Sequence, residues 1–302
     1  MLTPLIITRG QRVKKMGMSA QGDPVSAIRE DEATETIATI FADIRETLNV
    51  EVVNLVWRHL ATMPGALEWV WGILKPLYKG PAIVKAELVH QNLNLPRVPR
   101  LSRDVLTAAG LDDAALASIF AVLDSYQHTN ALALVCFSAL LARFEGSARR
   151  PDVSSAPQRN EVGAIRRVAL PRLAPIAEML PATARLVHEL NGFGEDSDFA
   201  LVASMYRHLS YWYTYLALIR TLLVPLHKSG ELMSLVAEAR ILGWEYGRDL
   251  ASDIPLTSPP QEVELVLAAV RRFVRHPIAR MTGVCSLVRR AMDESESQPV
   301  RG

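Results

Sequence analysis

An all-α chain made of two related helical halves is what this sequence predicts, on three observations. Apolar residues recur at i, i+3, i+4 and i+7 through most of the chain, the spacing of helices with one buried face. No stretch shows the alternation of a half-buried strand. Two short segments also recur at one offset. Trp57-Arg58-His59-Leu60 is matched by Tyr206-Arg207-His208-Leu209, and Val135-Cys136 by Val284-Cys285, each 149 residues on (206 minus 57, 284 minus 135). Duplication of a helical unit explains a shared offset; chance similarity between apolar helices is the plainer alternative. Duplicated halves would pack about a pseudo-twofold axis, as a homodimer does, forming an intrachain pseudo-dimer with the site between them.

The elements follow in order. Residues 1–30 read as a disordered N-terminal extension, because the short apolar start precedes its basic residues, the reverse of a secretory signal. Residues 31–145 form the first helical repeat. Ile37, Ile40, Phe41, Ile44 and Leu48 mark one buried face. A second helix is expected over 53–62, stopped by Pro64-Gly65, and a third over 66–78, with Pro76 ending or kinking it. Pro81 opens the next at its first turn. Residues 94–100 are loop, Gly110 closes a short helix, and Asp112 caps a helix reaching about Tyr126. A separate helix follows over 129–143. Residues 146–165, rich in Gly, Ser, Pro and Asn, are the linker. The second repeat, 166–293, carries helices over 182–191, 198–220, 231–250, 262–275 and 278–292, before a disordered tail at 294–302.

Composition excludes several classes. Hydrophobic residues make up 49% of the 302, ample for a core. With 33 basic and 32 acidic residues the net charge is +1, without the basic excess of a nucleic-acid binder. The longest apolar run, residues 131–142, is too short to span a membrane, which needs about 20 residues. The two cysteines, Cys136 and Cys285, sit in apolar helical runs. They read as buried free thiols in a reducing compartment, and a cytoplasmic location is expected. None of the seven histidines forms a zinc-protease pair, and no Cys-x-x-Cys, Walker loop, Gly-x-Gly-x-x-Gly or Gly-x-Ser-x-Gly occurs. No metal or cofactor is therefore expected.

Two clusters invite attention. Tyr206, Tyr211, Trp212, Tyr213 and Tyr215 either pack the core or contribute rings to a pocket. Glu195-Asp196-Ser197-Asp198-Phe199 follows Gly192-Phe193-Gly194 and precedes an apolar run. One reading is a helix cap, since Ser and Asp satisfy free backbone N–H groups and acids suit the helix dipole. The other is a catalytic carboxylate facing a cavity.

At these residues the chain resembles the group I 2-haloacid dehalogenases, which act on both enantiomers of short 2-halocarboxylic acids. The matching stretches are Asp43-Ile44-Arg45-Glu46-Thr47-Leu48-Asn49-Val50, Leu60-Ala61-Thr62-Met63-Pro64-Gly65, Ala108-Ala109-Gly110-Leu111-Asp112-Asp113 and Ser197-Asp198-Phe199. They fall in family order across about residues 30–293. The resemblance implies an all-helical fold of two related halves with the site between them. It also implies hydrolysis without a cofactor or covalent ester, with inversion at the halogen-bearing carbon. Asp198 would be the base, Ser197 its neighbour at the substrate, and Asn130 the amide that places the water. Aromatic wall positions of the family fall on Val52, Leu55, Ala133 and Val274, which implies a wider apolar pocket. The expected partner is a small organic acid, with a homodimer as a further expectation. Two alternatives stay open: a cofactor-free hydrolase or lyase acting on another small organic acid, and a non-catalytic small-ligand-binding protein on the same scaffold.

Overall fold

The computed structural model describes residues 25–149, 169–195 and 201–292. Among these residues there are twelve α-helices and no strand. The first is α1 (Glu35–Leu48), which buries Phe41, Ile44 and Leu48 and leaves Ile37 and Ile40 half-buried at its edge. Next come α2 (Leu55–Leu60) and α3 (Ala66–Tyr78). The tight turn between them needs Gly65 at φ +69°, where a side chain would be strained. Pro76 lies inside α3, which runs on for two residues beyond it. Pro81 opens α4 (Pro81–Asn92). Gly110, at φ +87°, follows α5 (Arg103–Ala108). Asp112 then caps α6 (Asp113–Phe144), its carboxylate accepting from the Ala115 N–H at 2.8 Å.

α6 is one helix of 32 residues, where the sequence suggested two separated near Gln127-His128. Neither of those residues breaks a helix, and the apolar stretch that follows is buried on all sides by neighbouring helices. After a 3-10 turn (Ile176–Glu178), the second half comprises α7 (Pro181–Gly192), α8 (Ser204–Leu209), α9 (Tyr213–Ser229) and α10 (Glu231–Leu250). A 3-10 turn (Ala251–Asp253), α11 (Val263–Phe273), a π turn (Val274–Ile278) and α12 (Ala279–Ala291) complete it. No single helix spans 198–220: residues 201–203 are non-helical and the chain breaks again at 210–212. At Pro277 the helix widens into the π turn, because proline offers no N–H to an α-helical turn.

α6 forms the axis of the molecule, packed along α10 and α12 with α4 beside it. The α6–α10 crossing is close because α10 presents Gly243 and Gly247. A Cβ at Gly243 would stand 2.4 Å from Leu134 Cγ, and one at Gly247 would stand 2.6 Å from Ser138 Cβ and 2.7 Å from the Ala139 nitrogen. One hydrophobic core runs through both halves. α2 and α8 each have six residues, and α8 begins 149 residues after α2 (204 minus 55). Pro225 in α9 stands 149 residues after Pro76 in α3 (225 minus 76). Arg58 of α2 donates from Nε to the Ile28 carbonyl at 3.1 Å, and Arg207 of α8 donates to the Ala174 carbonyl at 2.9 Å.

Residues 25–30, expected within a disordered extension, are instead fastened to α1 and α2. Glu30 pairs with Arg45 and accepts from the Val53 N–H at 2.8 Å, and the Ile28 N–H donates to the Arg58 carbonyl at 3.0 Å. Residues 1–24, most of the linker and the tail lie outside the described residues. The Asp43 of the first family-like stretch receives Trp71 Nε1 and Lys75 Nζ at 2.8 Å each, which ties α1 to α3. Tyr206 and Tyr215 are fully buried in the core, whereas Tyr211 and Tyr213 face solvent. Both cysteines are buried and free. No helix among the described residues is long and apolar enough to cross a membrane.

Candidate active site

A shallow, half-open cleft lies between the starts of α2 and α8, the middle of α6 and the π turn. Its wall draws on both halves of the chain. Leu55, Val56, Met205, Phe273, Ile278 and Met281 supply the apolar surface. Asn54, Tyr126, Asn130 and Ser204 supply the polar groups. An apolar concavity with a few converging polar groups is the usual form of a small-ligand site.

Asn130 is the distinctive member of this wall. It is 7% exposed, and its Nδ2 has no hydrogen-bond partner among the described residues. A buried donor left unsatisfied costs about 1–3 kcal/mol, so such groups are rare unless something else occupies them. The amide can donate and accept at once without titrating, which suits it to hold a water or a substrate oxygen.

Tyr126, one turn before Asn130, is tied back into the protein. Its hydroxyl lies 2.8 Å from His208 Nδ1, with the Ser204 hydroxyl as a second partner. His208 is fully buried. Burial, aided by the Arg207 charge, holds its pKa down to about 4, so the imidazole is neutral at pH 7. Burial likewise pushes the Tyr126 phenol up and keeps it protonated. This pair is a fixed neutral wall. Among the described residues no group of three or more His, Cys, Asp or Glu side chains is placed to hold a metal ion.

Of the residues named from sequence, Asn130 and Leu55 line this cleft. Ala133, Val52 and Val274 are not among its lining residues. Ala133 is 2% exposed and packed in the core of α6, Val52 is half-buried between α1 and α2, and Val274 is half-buried at the start of the π turn. The wall carries an aromatic ring at Phe273, the chain neighbour of Val274. Tyr126 and Asn54 were missed, since nothing in their spacing distinguishes them from core or turn residues.

Ser197 and Asp198 lie outside the described residues. Downstream of them α8 starts at Ser204, with Ala203 at its N-cap position. The residues flanking the segment are Glu195 and Leu201, and Leu201 lines the cleft.

No family model matches the chain. An (R)-2-haloacid dehalogenase of Pseudomonas putida is 32% identical over 114 residues, which cover 35% of this chain and 38% of that relative's length. Three solved structures share the fold across most of the chain. A D-2-haloacid dehalogenase mutant in complex with D-2-CPA superposes with a TM-score of 0.61 at 15% identity, covering 88% of this chain and 94% of its own. A second such mutant gives a TM-score of 0.66 at 14% identity, covering 92% and 99%. A D-2-haloacid dehalogenase in complex with L-LA gives 0.65 at 14% identity, also covering 92% and 99%. In fold the chain is similar to the D-2-haloacid dehalogenases, and over about a third of its length its sequence is similar to an (R)-2-haloacid dehalogenase.

Proposed function

We propose that the protein hydrolyses short 2-halocarboxylic acids, with Asp198 as general base and Asn130 as the group that places the water. The observation that carries this reading is the Asn130 Nδ2 donor, without a partner among the described residues, in the wall of an apolar cleft to which Leu201 also contributes. Asp198 stands three positions before Leu201. With successive Cα atoms about 3.8 Å apart, three links limit their separation to about 11 Å.

In this mechanism the Asp198 carboxylate takes a proton from the water. The water oxygen forms a bond to C2 of the acid, and the carbon–halogen bonding pair leaves with the halide. A 2-hydroxy acid of inverted configuration results, and Asp198 returns its proton to solvent. General-base assistance of this kind contributes about 10²–10⁴-fold. Holding the water in line with the departing halide adds an orientation term. The reaction is redox-neutral and calls for no cofactor. On the same reading the two halves are a duplicated helical unit, and the cleft between α2, α6 and α8 is the site of the pseudo-dimer.

Halide release from both enantiomers of 2-chloropropionate and from bromoacetate tests the activity. Product configuration tests inversion, and a single turnover in ¹⁸O-water tests the direct attack. Label in the first-turnover product supports it; label appearing only after a second turnover indicates an ester on the protein. Absence of halide release from all three acids overturns the reading.

A further inference from the structure

Segment 196–200, which carries Asp198, is bracketed by two residues that converge on one buried polar cluster. On the C-terminal side, Asn191 Nδ2 donates to the Leu201 carbonyl at 3.0 Å, and the Ala203 N–H donates to Asn191 Oδ1 at 2.9 Å. On the N-terminal side, the Glu195 carboxylate meets His276 Nδ1 at 3.0 Å and Arg280 at 3.5 Å. Arg280 joins the two sides, donating to the Asn191 backbone carbonyl and, at 3.0 Å, to Asn191 Oδ1. The Arg280 side chain is 1% exposed and that of Glu195 is 6% exposed. A buried ion pair adds little stability compared with apolar side chains of similar volume. What this cluster does supply is geometry, because a planar guanidinium fixes several acceptors at once. The residues it holds, Leu201 and Ala203, line the cleft, as do the neighbours of Arg280 in the chain, Ile278 and Met281.

We infer that Asn191 and Arg280, with Glu195 as counter-charge, are positioning residues that fix both ends of the segment carrying the catalytic base. The inference rests on the proposed role of Asp198. It predicts that the cluster governs turnover more than folding.

The discriminating variant is Glu195→Gln combined with Arg280→Met, which removes both charges and keeps similar volumes. A merely structural cluster predicts wild-type kcat once neutrality is restored. Positioning predicts near-wild-type melting, KM within about threefold, and kcat down by about tenfold or more. Amide hydrogen exchange gives a readout independent of activity. Peptides covering 196–200 should exchange several-fold faster in the double variant, with the remaining peptides unchanged. A folded double variant with kcat within about twofold of wild type, or with unaltered exchange at 196–200, overturns the inference. If wild type releases no halide from any acid, the dehalogenase reading fails by itself and exchange still decides the positioning role. If the double variant does not fold, Arg280→Lys, which keeps the charge but loses the fork, carries the same measurements.

Discussion

At the residue scale, Asn130 and Cys136 are buried in different ways. Both lie in α6, and both are almost or completely inaccessible. Asn130 keeps a donor without a partner among the described residues in the wall of the cleft, so it carries a cost that packing does not repay. Asn130→Ala should therefore leave the melting temperature at or above the wild-type value while turnover falls by about 10²-fold. A variant that loses stability and keeps its turnover would identify the amide as structural. Asp198→Asn should likewise cut turnover by about 10²-fold with little change in melting, and Asp198→Ala should do the same. Cys136 and Cys285 behave as small hydrophobes, and burial pushes both thiols up, away from the reactive thiolate. Native protein should resist a thiol reagent for hours and react at two sites only once denatured. Rapid labelling of the native protein would contradict this.

At the scale of elements, the decisive contact is the α6–α10 crossing. A Cβ on Gly247 meets the backbone of α6 at Ala139, which cannot rotate away. A Cβ on Gly243 meets the Leu134 side chain, which has other rotamers. Gly247→Ala should cost about 1–3 kcal/mol through overpacking, and Gly243→Ala less, despite alanine's better helix propensity. Urea denaturation of the two variants checks the order, and a Gly247→Ala at least as stable as wild type would show that the helices separate freely. This crossing joins the two halves, so loosening it should also widen the cleft that α6 floors.

At the scale of the whole molecule, one buried and two half-buried histidines held neutral should set the response to acid. Burial lowers the pKa of His208 and of His128 to about 4, and lowers that of His90. In the unfolded chain these imidazoles titrate near the ordinary value of about 6.5. Above that pH both states are neutral and stability is flat. Between about 6.5 and 4 the unfolded state takes up protons that the native state refuses, so stability falls as pH drops. Each such group contributes a slope of about 1.4 kcal/mol per pH unit at most. Melting temperature should be nearly level from pH 7 to 8 and fall steadily from pH 6 to 5. His208→Gln should reduce that slope by about one proton's worth, and an unchanged slope would place the acid sensitivity elsewhere.

The sequence by itself determined which stretches are helical and where several of them start and stop. The apolar period is written locally, and so are the Asp112 cap, the Pro81 start and the positive-φ turns at Gly65 and Gly110. The resemblance also drew attention to Asn130 and Leu55, which line the cleft. Only the tertiary structure decided the rest. Whether residues 113–144 form one helix or two depends on the helices that surround their apolar second half. Asn130 and Ala133 are a single turn apart, yet one lines the cleft and the other fills the core. That division comes from what packs against each face, and no local spacing encodes it. The joining of Asn191, Glu195, His276 and Arg280 spans 89 residues from Asn191 to Arg280. Polar residues so far apart in sequence become partners only when α7 and α12 are brought together and water is excluded between them.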